Sequence, residues 1–120
     1  MLNRVVTLNL LASTVHFADN AIRFSRYPEP HWISGPGTVV MLWLAITPSL
    51  LTGWWLARRA RLRLAAIVLG SYALVSLFVV GHYAYAPLTT LPLSIHAGIA
   101  ANAVAALALL LFARRRYLAQ

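Results

Sequence analysis

Four stretches of the chain, near residues 3–23, 38–57, 62–85 and 92–113, are each long and apolar enough to cross a hydrocarbon layer of about 30 Å, which takes roughly 20 helical residues. Such runs leave few folds open. In lipid a backbone amide must find its partner inside its own segment or in a closed barrel, so each stretch reads as a helix and the chain as all-α. The breaks YPEPHWISGPG, ARRARLR and APLTTLP carry prolines or clustered arginines that a lipid-facing helix interior excludes. Four helices and three short loops predict one transmembrane domain over residues 1–120, an up-and-down four-helix bundle.

Composition agrees: 61% of residues are hydrophobic and only 10% charged, outside the range of a soluble domain of this length. The net charge of +8 comes from ten arginines and no lysine, so the lysine Schiff base that retinal or pyridoxal phosphate needs cannot form and neither cofactor is expected. Without cysteine, any metal must be held by nitrogen and oxygen ligands. The arginines flank apolar spans, which points to lipid headgroups rather than nucleic acid. Residues 1–22 lack the small residues of a signal-peptidase site, His16 standing where one is needed, and read as a retained helix.

Arg4, Arg58, Arg59, Arg61, Arg63, Arg114, Arg115 and Arg116 fall on one side of such a bundle, Arg23 and Arg26 on the other. The positive-inside rule then predicts both termini in the cytoplasm of a bacterial inner membrane, with the first and third loops facing the periplasm or exterior. This orientation places His16, His31, His82 and His96, and both acids, Asp19 and Glu29, in the outer half, so any chemistry is expected there.

On the first helix Asn9, Ser13, His16, Asn20 and Arg23 recur at alternating intervals of four and three, and Asp19 follows His16 by three. One stripe carries them all, and it must face inward because a charge near the bilayer centre costs about 2.5–3.5 kcal/mol or more. Leu8, Leu11, Val15 and Ile22 are left for lipid. His82 and Tyr85 share a face of the third helix, Tyr83 is assigned to a neighbouring face with Tyr72 and Ser76, and His96 opens the fourth. Three histidines from three helices at one depth, near a carboxylate, suit a divalent metal, zinc first and copper or iron next.

The expected site therefore has His16, His82 and His96 as ligands, and Asp19 orienting a ligand or taking a proton from bound water. Arg23 would hold an anionic headgroup or developing negative charge, and Glu29, fixed between Pro28 and Pro30, would close the site with its loop. Asn20, Tyr27, His31 and Tyr85 complete the surroundings or the lid. In site chemistry alone this resembles the zinc-dependent intramembrane amidases of the ceramidase and adiponectin-receptor group, which have seven helices. The expectation is a metal-dependent, hydrolase-like enzyme acting on a lipid or other hydrophobic substrate; the alternative is a non-catalytic membrane subunit, or a lipid or metal binder, with two of the histidines on a haem b.

Three further features concern packing. Pro48 predicts a kink in the second helix, its freed carbonyl met by the hydroxyls of Thr47, Ser49 or Thr52. GWW at 53–55 reads as an aromatic belt. Ala97, Ala101 and Ala105 form one small-residue ridge and Gly98, Asn102 and Ala106 the next, which predicts a homo-oligomer or a subunit of a complex joined through the fourth helix.

Overall fold

The polar stripe of the first helix and the apolar faces of the other three dictate how they assemble. A computed structural model describes residues 1–118. Helix α1 spans Leu2–Ile22, α2 Pro36–Arg58, α3 Leu62–Leu77 and α4 Leu93–Ala113. A 3-10 segment, Phe78–Ala84, continues α3, a π-helical turn, Arg114–Leu118, continues α4, and no strand occurs among the described residues. The expected single helix over 62–85 thus changes winding after Leu77. Helix α1 packs on α2 and α4, and α3 packs on α2 and α4. The overall extents are 45 × 25 × 21 Å.

Neighbouring helices run antiparallel. Trp54 near the end of α2 donates its indole N–H to Asn3 at the start of α1, 2.9 Å, while Arg23 just beyond α1 donates to Ser94 at the start of α4, 3.0 Å. Three helical segments, Pro36–Arg58, Leu62–Ala84 and Leu93–Arg116, are long and apolar enough to cross a membrane. Helix α1 is 21 residues long, but its buried side is polar: Asn9, Ser13, His16 and Asn20 are all at most 3% exposed, whereas Leu8, Leu11, Val15 and Ile22 lie outside. Asn9 ties this stripe to α4 by donating to the Ala105 carbonyl, 2.8 Å. A polar interior and an apolar exterior are what a helix needs when its outer solvent is hydrocarbon.

The arginine-rich end closes on an aliphatic core that includes Leu50, Leu69, Ala73 and Leu109. Gly53 lets α2 and α3 approach there. A Cβ at this position would stand 2.6 Å from Leu69 Cγ and Cδ2 and 3.2 Å from the Leu69 backbone nitrogen. The α2–α3 turn satisfies its carbonyls in a Schellman pattern, Ala60 N–H to Ala57 O at 3.2 Å and Arg61 N–H to Leu56 O at 3.0 Å. Ala60 occupies the left-handed position with φ 56°, where a Cβ costs about 1–2 kcal/mol. At the same end the Arg58 and Arg59 guanidinium groups lie over the Trp54 and Trp55 rings, 5.5 and 5.4 Å from their centroids.

Two packing expectations change in detail. Pro48 lies inside a continuous α2, where Thr47 bonds the Trp43 carbonyl and Ser49 that of Ile46; neither hydroxyl goes to Leu44, four residues before the proline, because each is held by a carbonyl of its own preceding turn. On α4 the ridges divide differently: Asn102, Ala105 and Ala106 are buried, and Ala97 and Ala101 are exposed. Ala105 leaves its expected ridge because α4 turns it toward Asn9, which its carbonyl binds.

Candidate functional site

In the half opposite the arginine-rich core the helices enclose a cavity of about 390 Å³. Helix α1 supplies His16, Phe17 and Asn20, α2 supplies Val39, Leu42 and Ile46, and α4 supplies Asn102. From α3 and its continuation come Ser76, Val79, His82 and Tyr85, each three residues after the last. This series reflects the change in winding. At about 100° per residue an α-helix would set Ser76 and His82 on different faces, whereas about 120° per residue beyond Leu77 brings i and i+3 into line. Ser76 therefore faces the cavity with His82, and Tyr83 turns elsewhere.

The YPEP loop covers one end. Glu29 and Pro30 line the cavity, and the Glu29 side chain is only 6% exposed. Asn20 donates its amide N–H to Glu29 Oε1. His82 Nδ1 lies 3.0 Å from the Pro28 carbonyl and 3.5 Å from Glu29 Oε1. A carbonyl only accepts, so Nδ1 carries the proton and a neutral His82 keeps its lone pair on Nε2. The His16 and His82 rings are 5.5 Å apart between centroids, and Tyr27 packs edge-on against both, at 5.8 and 5.4 Å.

Other expected site residues form two separate groups. Asp19 pairs with Arg23 and accepts a 2.6 Å hydrogen bond from the Tyr27 hydroxyl, and Arg23 reaches on to Ser94. Neither Asp19 nor Arg23 lines the cavity; Glu29 is the carboxylate that does. His96 bonds through Nδ1 to the Tyr83 hydroxyl, 3.0 Å, and through Nε2 to the Leu88 carbonyl, 3.0 Å, so it is not brought to His16 and His82. His31 is exposed. Among the described residues no three His, Asp or Glu side chains are grouped so as to hold a metal ion.

Sequence reasoning gave Ser76 no role at a site and read Asn102 as a packing residue. Both are buried, and Ser76 Oγ and Asn102 Oδ1 have no hydrogen-bond partner; the same holds for His16 Nδ1 and Asn20 Oδ1. All four residues line the cavity. A buried polar atom without a partner costs about 1–3 kcal/mol, so four around one cavity mark a place built to meet a polar group. The remaining wall is apolar, and Trp32, Phe78 and Tyr85, each more than half exposed, leave it open on one side. The one signal of this in the sequence was the stripe on α1.

The chain is thus a helical protein with three helices suited to crossing a membrane and an amphiphilic cavity at one end of the assembly. Comparisons with protein-family profiles, with curated proteins and with solved structures return no match.

Proposed function

We propose that this protein is an up-and-down transmembrane four-helix bundle that binds one small hydrophobic molecule with a polar head. An otherwise apolar cavity, lined by four residues that each carry a buried polar atom without a partner, supports this reading. The molecule enters from the membrane past Trp32, Phe78 and Tyr85, and its head reaches the polar end beneath the YPEP loop.

Both termini lie in the cytoplasm of a bacterial inner membrane and the cavity lies in the outer leaflet, a reading supported by the arginine asymmetry. With no native cysteine, single replacements report the topology directly. An impermeant maleimide is expected to label Thr90→Cys in intact cells and Arg61→Cys only after permeabilisation; the opposite pattern rejects the orientation. Exposed Ala97 and Ala101 support self-association through α4, and Ala101→Leu is then expected to lower the dimer fraction in nanodiscs.

Binding is tested by native mass spectrometry of the purified protein with ten-carbon amphiphiles of different heads. At least one is expected to saturate at one molecule per chain and to be lost in Val75→Trp, which fills the cavity from a half-exposed position. If none binds saturably, the reading fails.

Metal-dependent hydrolysis of the bound molecule is a second reading, favoured by the His82 tautomer. Two imidazoles on one tetrahedral zinc have ring centroids about 5 Å apart, close to the 5.5 Å between His16 and His82. These two side chains would hold the ion, which would supply an activated water, and Glu29 would keep the His82 end oriented. Elemental analysis and an absorption spectrum of the same preparation separate the possibilities. Stoichiometric zinc lost in His16→Ala and His82→Ala supports hydrolysis, a Soret band supports haem b, and neither leaves the binding protein.

A further inference from the structure

Resting on the binding reading, the charge inside the cavity defines the molecule more closely. Glu29 is the one carboxylate on its wall, and its side chain is almost fully buried. Its Oε1 receives the Asn20 amide, and among the described residues no group bonds Oε2. Among the described residues no arginine lines the cavity; Arg26, three residues before Glu29, is exposed, and Arg23 is paired with Asp19. His82 Nδ1 donates to the Pro28 carbonyl and lies 3.5 Å from Glu29 Oε1, which leaves Oε2 as the oxygen without a partner. An ionised carboxylate buried without a cation costs several kcal/mol, so an ionised Glu29 calls for a positive partner.

The polar residues lining the same cavity point the same way. Asn20 Oδ1 and Asn102 Oδ1 are acceptors only, both buried and both unpartnered. Asn20 has already committed its amide N–H to Glu29, which holds its oxygen as the free end. Ser76 Oγ and His16 Nδ1 can each accept as well. A carboxylate or phosphate head would find donors in the Asn102 amide and the Ser76 hydroxyl but would be repelled by an ionised Glu29, and a hydroxyl head has only one proton to offer. A primary ammonium has three donors and the required charge.

We propose that the cavity selects a lipophilic primary amine in its ammonium form, with Glu29 as counter-ion and the side-chain oxygens of Asn20 and Asn102 as hydrogen-bond acceptors. The apolar wall formed by Val39, Leu42, Ile46 and Val79 takes the hydrocarbon body. No bond is made or broken.

The test compares decylamine, decanol, decanoate and decyltrimethylammonium on the full-length protein in nanodiscs, by native mass spectrometry with thermal shift as a second readout. Decylamine is expected to bind at least about tenfold more tightly than decanol or decanoate, a difference of about 1.4 kcal/mol, because only the ammonium forms charge-assisted hydrogen bonds to the carboxylate. Decyltrimethylammonium, which has the charge without N–H donors, is expected to fall between. Glu29→Gln should remove the preference of amine over alcohol while keeping decanol binding, which shows that the cavity is intact. Equal binding of amine and alcohol to the wild type overturns the ammonium assignment and leaves the cavity reading standing; failure of every compound to saturate overturns both. The wild-type series decides the matter even if Glu29→Gln does not fold.

Discussion

Tyr27→Ala is expected to cost about 3–5 kcal/mol of stability, the range for removing a buried aromatic side chain. The residue is 6% exposed; its ring packs on His16 and His82 and its hydroxyl donates to Asp19. It is therefore the wedge that seats the first loop against α1 and the end of α3. Tyr27→Phe keeps the ring and loses only the hydrogen bond to the Asp19 carboxylate, so its cost should be about 1.5–3 kcal/mol. Melting in detergent, followed by far-UV circular dichroism, separates the two variants; equal, small losses in both would remove the wedge role. Burial, reinforced by the bond to Asp19, pushes the Tyr27 phenol well above its ordinary value. For an acid raised on folding, the contribution is intact below the unfolded tyrosine value of about 10 and is lost as pH rises from there toward the folded value. The wild type should accordingly lose stability above about pH 10 more steeply than Tyr27→Phe.

Gly53→Leu is expected to prevent folding. Even the single carbon of Gly53→Ala meets Leu69, which is fully buried, at 2.6 Å, and the Leu69 backbone nitrogen at 3.2 Å means that moving the leucine side chain alone does not clear the space. Overpacking of this kind costs about 1–3 kcal/mol for the alanine variant, and the branched side chain multiplies the clash. Gly37, near the start of α2, is the internal control: nothing lies within 4 Å of a Cβ there, so Gly37→Ala should be neutral or stabilising by up to about 1 kcal/mol. Size-exclusion profiles and melting temperatures of the three variants check the order. An unchanged Gly53→Ala would mean that α2 and α3 are not in close contact at this point.

These two positions show where reading the sequence falls short. Tyr27 reads from the sequence only as part of the surroundings or lid of the expected site, and Gly53 as part of an aromatic belt, because spacing and composition do not say which side chains a residue will meet. Whether a tyrosine points out to headgroups or in beneath a loop is set by the path of the chain after Phe24–Arg26, which turns back over α1. Trp54 and Trp55 do sit with arginines over their rings, so the belt reading of that segment describes the tryptophans and misses the glycine beside them.

The sequence alone determined that the described chain is helical, where α1, α2 and α4 run to within a few residues, and which side of α1 faces inward. Asn9, Ser13, His16 and Asn20 could be placed without coordinates because a periodic set of polar groups in an apolar chain has one place where their cost is reduced, against other protein. Periodicity names a face but not the partner across from it. Only the tertiary structure decided that Tyr83 and the Leu88 carbonyl hold His96, that Tyr27 bonds Asp19, and that Glu29 is the acid on the cavity. It also decided that Ser76 joins His82, because the extra rotation of roughly 20° per residue in a 3-10 segment is a property of local winding that residue types do not announce.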